Sequence, residues 1–480
     1  MMDICALPAR TLRRLIGQKA VSPVELAEAC LKRMDAIDKT LNAVVARDDE
    51  ATLAAARVAE AAVMAGQPLG PLHGLPAVIK DLHPTRGLRT TWGSLLYKDH
   101  VPTADDSLVA AVRAAGAVIA GKSNTPEFGA GANTRNLVYG ATGNPFDPAL
   151  SASGSSGGSA VALATGMVPV ATGSDTGGSL RTPASFCGVT GFRPSPGLVP
   201  SESRSLGWTP LSVWGPMGRD AEDTALLLSA IARFDRSDPF SWPEIDGASF
   251  YPLPEVDPAS LSVAVSVDFG FAPVAGVIRA CFEQKLERLA PVFGRVTRTD
   301  PPMQGADRAF AVMRAVSFLA NLRQPVETQR ALLDRNVIEN VEEGLRYTAA
   351  DVAEAHTLQT RIYRAMQRFF EPFDLLIAPM AAVPPFEKTA IAVYEIDGRT
   401  LDSYFHWLGL AYGPTLTGHP VACIPLGLGP TGMPFGLQLV GRRGADRFVL
   451  AAAAALERLF AGDGELGRPL PDLTSLSAPA

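Results

Sequence analysis

Between Gly154 and Phe192 the chain reads GSSGGSAVALATGMVPVATGSDTGGSLRTPASFCGVTGF. Two turns rich in glycine and serine bracket a short apolar, helix-capable stretch, Ser159 to Thr165. Taken alone, the first turn has the composition of a flexible linker. The continuation argues against that, because the run leads directly into an apolar segment and out through a second turn of the same kind. Small side chains let such turns approach closely, bringing backbone N–H groups and hydroxyls together. An oxyanion hole and its nucleophile are assembled in this way.

Helical patterns and short apolar strands alternate around this array. Ser22-Pro23-Val24-Glu25 matches a capping box with proline at the first helical position. A second helix is expected from Glu50 to Met64, then a buried strand Ala77 to Ile79 with Lys80 at its end. The segment DDSLVAAVRAAGAVIAGKSN reads as a helix stopped at Gly116, followed by a strand from Ala117 to Ala120. Helices are also expected over Ala221 to Phe234 and Arg447 to Phe460, with Asp220 and Asp446 as caps. Late strands are read in FDLLIAP, PVACIPLG and PFGLQLVG. This alternation indicates an α/β protein. The middle, roughly Asp235 to Val352, is expected to form helices layered outside the sheet.

Composition narrows the class. Of 480 residues, 47% are hydrophobic and 19% charged, which suits a large buried core. The 44 glycines and 39 prolines require many turns within ordered structure. A net charge of −6, with no strong Lys/Arg cluster, argues against nucleic acid as a partner. The five cysteines are scattered without a CxxC pair, so neither a disulfide framework nor a metal site is expected. MMDICALPARTLRRL lacks the pattern of a secretory leader. The run AVALATGMVPVATG is too short and too broken to span a bilayer. The expectation is a cytoplasmic protein without a membrane partner and ordered to within about ten residues of its end.

Two motif matches fail on context. GAVIAGKS, Gly116 to Ser123, fits the phosphate-binding GxxxxGK[ST] pattern. Its middle residues are themselves a strand, however, and Pro126 opposes the required following helix. Gly154 to Gly158 contains GxSxG, the nucleophile elbow of an α/β-hydrolase-type serine esterase with a histidine base. No buried strand precedes it, and His356, His406 and His419 downstream have no distinctive setting.

The longer array resembles the amidase signature family. The resemblance extends over nearly the whole chain: PLHGLPAVIKD, GKSNTPEF, GATGNPFD, the Ser/Gly core, GPMGRDAEDTALLL, FDLLIAPM and GMPFGLQLVG. It implies one domain over residues 1–480, a large mixed twisted sheet covered by helices on both faces. The core motif would occupy about 71–200, the variable helical region about 235–370 and the C-terminal strands and helix about 371–462. It further implies a Ser–cis-Ser–Lys triad in which Ser179 is the nucleophile, Ser155 the bridging serine after a cis peptide, and Lys80 the general base. Thr176, Gly177 and Gly178 match the oxyanion hole, and the loop Gly129, Ala130, Gly131, Ala132 matches the acyl pocket. Two small departures, Ser174 where threonine is common and Ser153 where glycine is common, remove no catalytic atom.

Physical chemistry supports these roles independently. A serine hydroxyl needs an adjacent base. A lysine, ordinarily at about 10.4, serves as one near neutral pH only when it is desolvated or near other positive charge. A lysine ending an apolar strand inside a core meets that condition, and a second serine can relay a proton between nucleophile and base. Asp175 and Arg181 suit either a second layer that ties down the nucleophile turn or a purely structural pair. Cys187 reads as a small hydrophobe, and His73 and His83 as packing or loop residues.

The expected reaction is hydrolysis of a small carboxylic amide through an acyl-enzyme, releasing ammonia or an amine, without metal or organic cofactor. A homodimer is an allowed assembly. The rival within the fold is the glutaminase component of a tRNA-dependent amidotransferase. Its tyrosine-rich SAGYYDAYY-like helix is absent from GLRYTAADVAEAHTLQTRIYRAMQRFF. Trp208, Trp214, Tyr404, Trp407 and Tyr412 are candidates for completing the pocket, with a weak preference for a bulky or aromatic group.

Overall fold

Short apolar runs, most of them buried on both faces, line up into one mixed sheet of eleven strands. The computed structural model describes residues 3–477. Met1, Met2 and 478–480, which the terminal expectations include, lie outside the described residues. In chain order the strands are β1 (Val44–Ala46), β2 (Pro76–Lys80), β3 (Val118–Ser123) and β4 (Val170–Asp175). They continue with β5 (Thr190–Arg193), β6 (Val213–Gly218), β7 (Ser262–Val265) and β8 (Arg295–Arg298). The last are β9 (Leu375–Met380), β10 (Val421–Leu428) and β11 (Pro434–Gly441). Their order across the sheet is β1-β3-β2-β4-β6-β5-β10-β11-β9-β7-β8.

β2 runs parallel to β3 on one side and to β4 on the other, so Lys80 ends a central, fully buried strand. Parallel strands covered on both faces must be apolar throughout, as Ala77, Val78 and Ile79 are. β3 runs through Lys122 and Ser123. The lysine of the apparent phosphate-binding motif is therefore buried, donating to the His83 carbonyl and to Thr85 Oγ1.

The apolar stretch between the two Gly/Ser turns forms the helix Gly157–Ala164, every residue of which is buried. Glycine is required where it crosses β3. A Cβ on Gly158 would lie 2.3 Å from the Asn124 amide nitrogen and 2.6 Å from the Ala43 carbonyl.

The middle of the chain departs from expectation. It supplies helices Ala306–Gln329, Arg335–Arg346 and Ala349–Phe369, but also strands β7 and β8 at the sheet edge. β8 is the outermost strand, where RVTR meets solvent and needs no apolar signature. Asp220 caps its helix by accepting from the Asp223 amide. Asp446 does not cap: it is the first helical residue, and its carboxylate accepts from Ser195 N and Oγ. Ser22 caps the helix Pro23–Leu41 through the amides of Val24 and Glu25, while its own hydroxyl donates to Glu60. No described helix is long and apolar enough to cross a membrane.

Candidate active site

The turn before helix Gly157–Ala164, the turn after β4 and the loop around Gly129 all line one cavity, and Lys80 at the end of β2 reaches its wall through Ser155. The Lys80 backbone amide donates to Thr172 Oγ1 (3.0 Å), which locks the end of β2 against β4. Its side chain is 0% exposed. Nζ lies 2.7 Å from Ser155 Oγ, 2.8 Å from Ser174 Oγ and 2.9 Å from Ser156 Oγ. Burial pushes the amine well below its ordinary pKa, against a weaker opposing pull from the Asp175 charge. No ion pair reaches it among the described residues.

Ser155 follows a cis peptide bond from Gly154. Its turn is tied to the second one twice. The Ser156 amide donates to the Ser179 carbonyl (3.2 Å), and Thr182 Oγ1 lies 2.9 Å from the Gly154 carbonyl and 3.0 Å from that of Gly178. Ser155 and Ser179 both line the cavity, as do Thr176 and Gly177. Among the described residues the Ser179 hydroxyl has no protein hydrogen-bond partner and is left open to an incoming molecule.

The turn Thr176–Leu180 wraps around the Asp175 carboxylate. Gly178 N–H donates to Oδ1 (3.0 Å) and Leu180 N–H to Oδ2 (3.1 Å). Arg181 grips the same carboxylate with Nη2 at 2.8 Å and Nε at 3.0 Å, and Arg193 adds a contact at 3.2 Å. Burial alone would raise the Asp175 pKa, but the two guanidiniums and the Gly178 amide outweigh it and hold the group well below the usual carboxylate range. The Gly178 amide, one of the three expected in the oxyanion hole, donates to Asp175, and the glycine's φ of +109° permits the bend. The amides of Thr176, Gly177 and Ser179 donate to no protein acceptor among the described residues.

Gly129, Ala130, Gly131 and Ala132 all line the cavity. Asn336 Nδ2 supports this loop by donating to the Ala130 carbonyl (3.2 Å). Of the aromatic candidates, Trp214 and Tyr404 face the cavity. Trp208 is 80% exposed, and Trp407 and Tyr412 are buried elsewhere, Tyr412 stacked on Phe310 with ring centroids 4.4 Å apart.

Phe128, Phe310, Phe318, Phe405 and Arg314 line the cavity but were not legible as site residues. Phe310, Arg314 and Phe318 recur every fourth residue, a one-sided helical stripe that was available as a signal. Arg193 is a further partner of Asp175, and Ser156 and Ser174 of Lys80, none of them marked by a local sequence signal.

No histidine lines the cavity among the described residues. His83 pairs through Nδ1 with Asp106 (2.7 Å) and packs edge-on against Trp214. His73 bonds the Ala59 carbonyl through Nε2 (2.9 Å). No strand precedes the GxSxG turn, and Ser156 Oγ faces Lys80, which removes the hydrolase-elbow reading. Cys187 is fully buried, its thiol pKa pushed up by burial, consistent with a packing role.

A model of the Amidase family matches residues 25–450. The chain is 32% identical to an acylamidase of Rhodococcus erythropolis, over 94% of this chain and 95% of that one. It is 34% identical to a component of the glutamyl-tRNA(Gln) amidotransferase of Thermus thermophilus, over 94% and 97%. A bacterial aryl acylamidase of the amidase signature family superposes with a TM-score of 0.87 at 28% identity, covering 94% of this chain and 96% of its own.

Proposed function

The chain belongs to the amidase signature family and is an amide hydrolase, and on that premise we propose that it cleaves a small carboxylic amide through an acyl-enzyme on Ser179. The observation that carries the reading is a fully buried lysine ringed by three serine hydroxyls, with no carboxylate partner among the described residues.

A neutral lysine amine has two N–H donors and one lone pair. With three hydroxyls around it, two accept from Nζ and the third donates to it. Ser155 is the donor in this reading, because it lies at the shortest distance, 2.7 Å, and shares the cavity wall with Ser179. Once its proton points at Lys80, the Ser155 oxygen is free to accept the proton of Ser179. Ser179 Oγ then attacks the amide carbonyl carbon, its proton passes to Ser155, and the proton of Ser155 passes to Lys80. The carbonyl π pair moves onto oxygen, facing the free amides of Thr176, Gly177 and Ser179. Such donors are worth about 10²–10³ in rate each.

Collapse of the tetrahedral adduct re-forms the carbonyl and breaks the C–N bond. The lysine proton returns through Ser155 to the leaving nitrogen, and ammonia or an amine departs. Water attacks the Ser179 ester by the same route and restores the hydroxyl. Asp175 and Arg181 act by fixing the turn that carries the amides and the nucleophile.

The ring-lined walls favour an aromatic or bulky acyl or amine group, and the acylamidase and aryl acylamidase relatives support that choice. The amidotransferase relatives keep glutamine as a second substrate to be tested. A screen of aliphatic amides, aryl amides, anilides, ureides and glutamine is the test. An activated anilide should be hydrolysed by the wild type, by neither Ser179→Ala nor Lys80→Ala, and only residually by Ser155→Ala. A Lys80→Ala variant at wild-type rate would overturn the reading.

A further inference from the structure

The helix Ala306–Gln329 lays Phe310, Arg314 and Phe318 along one face, and that face is a cavity wall. Arg314 is the one charged side chain lining the cavity among the described residues. It is only 6% exposed. Its guanidinium carbon lies 4.3 Å from the ring centroid of Phe405, 4.7 Å from that of Tyr404 and 5.1 Å from that of Phe318. Nη1 donates to Asn340 Oδ1, whose amide nitrogen in turn donates to the Tyr404 hydroxyl (2.6 Å).

No carboxylate lies within ion-pair distance of Arg314 among the described residues. The other two guanidiniums beside the site, Arg181 and Arg193, both pair with Asp175. Burial lowers the Arg314 pKa to about 9, against weaker opposing pulls from Glu343 and Tyr347, so it remains a cation at neutral pH. Packing alone explains part of this setting, since aromatic faces attract a guanidinium. Rings do not satisfy in-plane N–H donors, however. A guanidinium carries five such donors, and here the protein takes up one.

We propose that the substrate carries a carboxylate that pairs with Arg314 while its amide lies at Ser179, its apolar body spanning the aromatic walls between them. The proposal rests on the acyl-enzyme reading and narrows its substrate class. The fold has already removed most of the arginine's solvent, so an arriving carboxylate meets a largely dehydrated fork whose orientation is set by Asn340 and the rings.

The test uses three 4-nitroanilide-type substrates matched in size: one neutral, one with a carboxylate at the far end of the acyl group, one with it on the amine side. Wild type should favour one carboxylate isomer over the neutral compound by about ten- to a hundredfold in kcat/KM, the scale of a charge-assisted bond. In Arg314→Gln that ratio should collapse to near one, whatever the absolute rates. Arg314→Lys should keep part of it, as a point charge without the fork. A wild-type ratio at or below one for both isomers overturns the proposal, as does a preference that survives in Arg314→Gln.

Should Arg314→Gln fail to fold, competitive inhibition of the wild type decides. A free carboxylate inhibitor should bind about tenfold or more tightly than its primary-alcohol analogue, and equal binding overturns the proposal. Hydrolysis of the neutral anilide that persists in Ser179→Ala would instead sink the acyl-enzyme reading.

Discussion

Lys80 Nζ lies 2.7 Å from Ser155 Oγ, and its two other hydrogen-bond partners, Ser156 and Ser174, are hydroxyls as well. Among the described residues no carboxylate pairs with this amine, and the pull of the Asp175 charge is weaker than the effect of burial, so the site is arranged for a neutral lysine. As the pH rises through the Lys80 pKa, kcat/KM should rise with it. That limb should fall well below about 10.4, the ordinary lysine value, because burial disfavours the ammonium. Lys80→Ala should abolish hydrolysis across the whole range, and the limb with it. A pH profile of kcat/KM from pH 5 to 10 on the activated anilide measures both.

The same group makes stability pH-dependent in a definite direction. Between its lowered native pKa and its ordinary unfolded value, the unfolded chain binds a proton that the native state does not. Stability should therefore rise with pH across that window and fall as the pH drops toward the native pKa. Lys80→Met should flatten this dependence and raise Tm near neutral pH while abolishing activity. Thermal melts at a series of pH values, wild type against variant, check the sign.

Ser174 and Ser156 position the lysine and touch no substrate carbonyl in the proposed step. Ser174→Ala removes one acceptor from Nζ, so it should lower kcat by about tenfold and displace the acid limb, with KM changing less. Ser174→Thr keeps the hydroxyl and should restore both readings toward wild type. An unchanged limb in Ser174→Ala would assign that serine to packing alone.

Asp175→Asn removes the negative charge that Arg181 and Arg193 share in a fully buried position. Breaking such a pair costs about 3–5 kcal/mol, read as a lowered denaturation midpoint. Because the carboxylate's native pKa is depressed, its contribution is present above about 3.9, the unfolded value, and is lost as the pH falls below it. The turn amides also lose their anchor, so any folded fraction should show reduced kcat.

Gly158→Ala places a methyl group 2.3 Å from the Asn124 amide nitrogen, where backbone on both sides leaves no room to shift. The variant should be destabilised by more than about 3 kcal/mol, beyond the usual overpacking cost. Soluble yield and a urea midpoint measure this.

The parts of the site that could be read in sequence are those in which local chemistry and spacing coincide. Lys80 ends an apolar strand, and Ser155 and Ser179 sit in two Gly/Ser turns around one short helix. The helix–strand alternation likewise announced the central strands of the sheet. Elements set by long-range packing escaped. β7 is too short, and β8 too charged and exposed, to signal a strand alone. Asp446 had the look of a cap until the Ser195 loop claimed its carboxylate. The Gly178 amide is drawn to Asp175 because the turn curls around that carboxylate, a tertiary detail no composition carries. Phe310, Arg314 and Phe318 reach the cavity from a helix more than a hundred residues beyond the nucleophile, so only the fold joins them to it.

The central claim, that Ser179 attacks and Lys80 takes the proton through Ser155, is tested most directly by covalent labelling. The protein is treated with a fluorophosphonate at neutral pH, and the adduct is located by peptide mass spectrometry. A single adduct on Ser179 is predicted, absent in Ser179→Ala and formed far more slowly in Lys80→Ala. An adduct on Ser155 or Ser156 in the wild type, or labelling of Ser179 at an undiminished rate without Lys80, would contradict it.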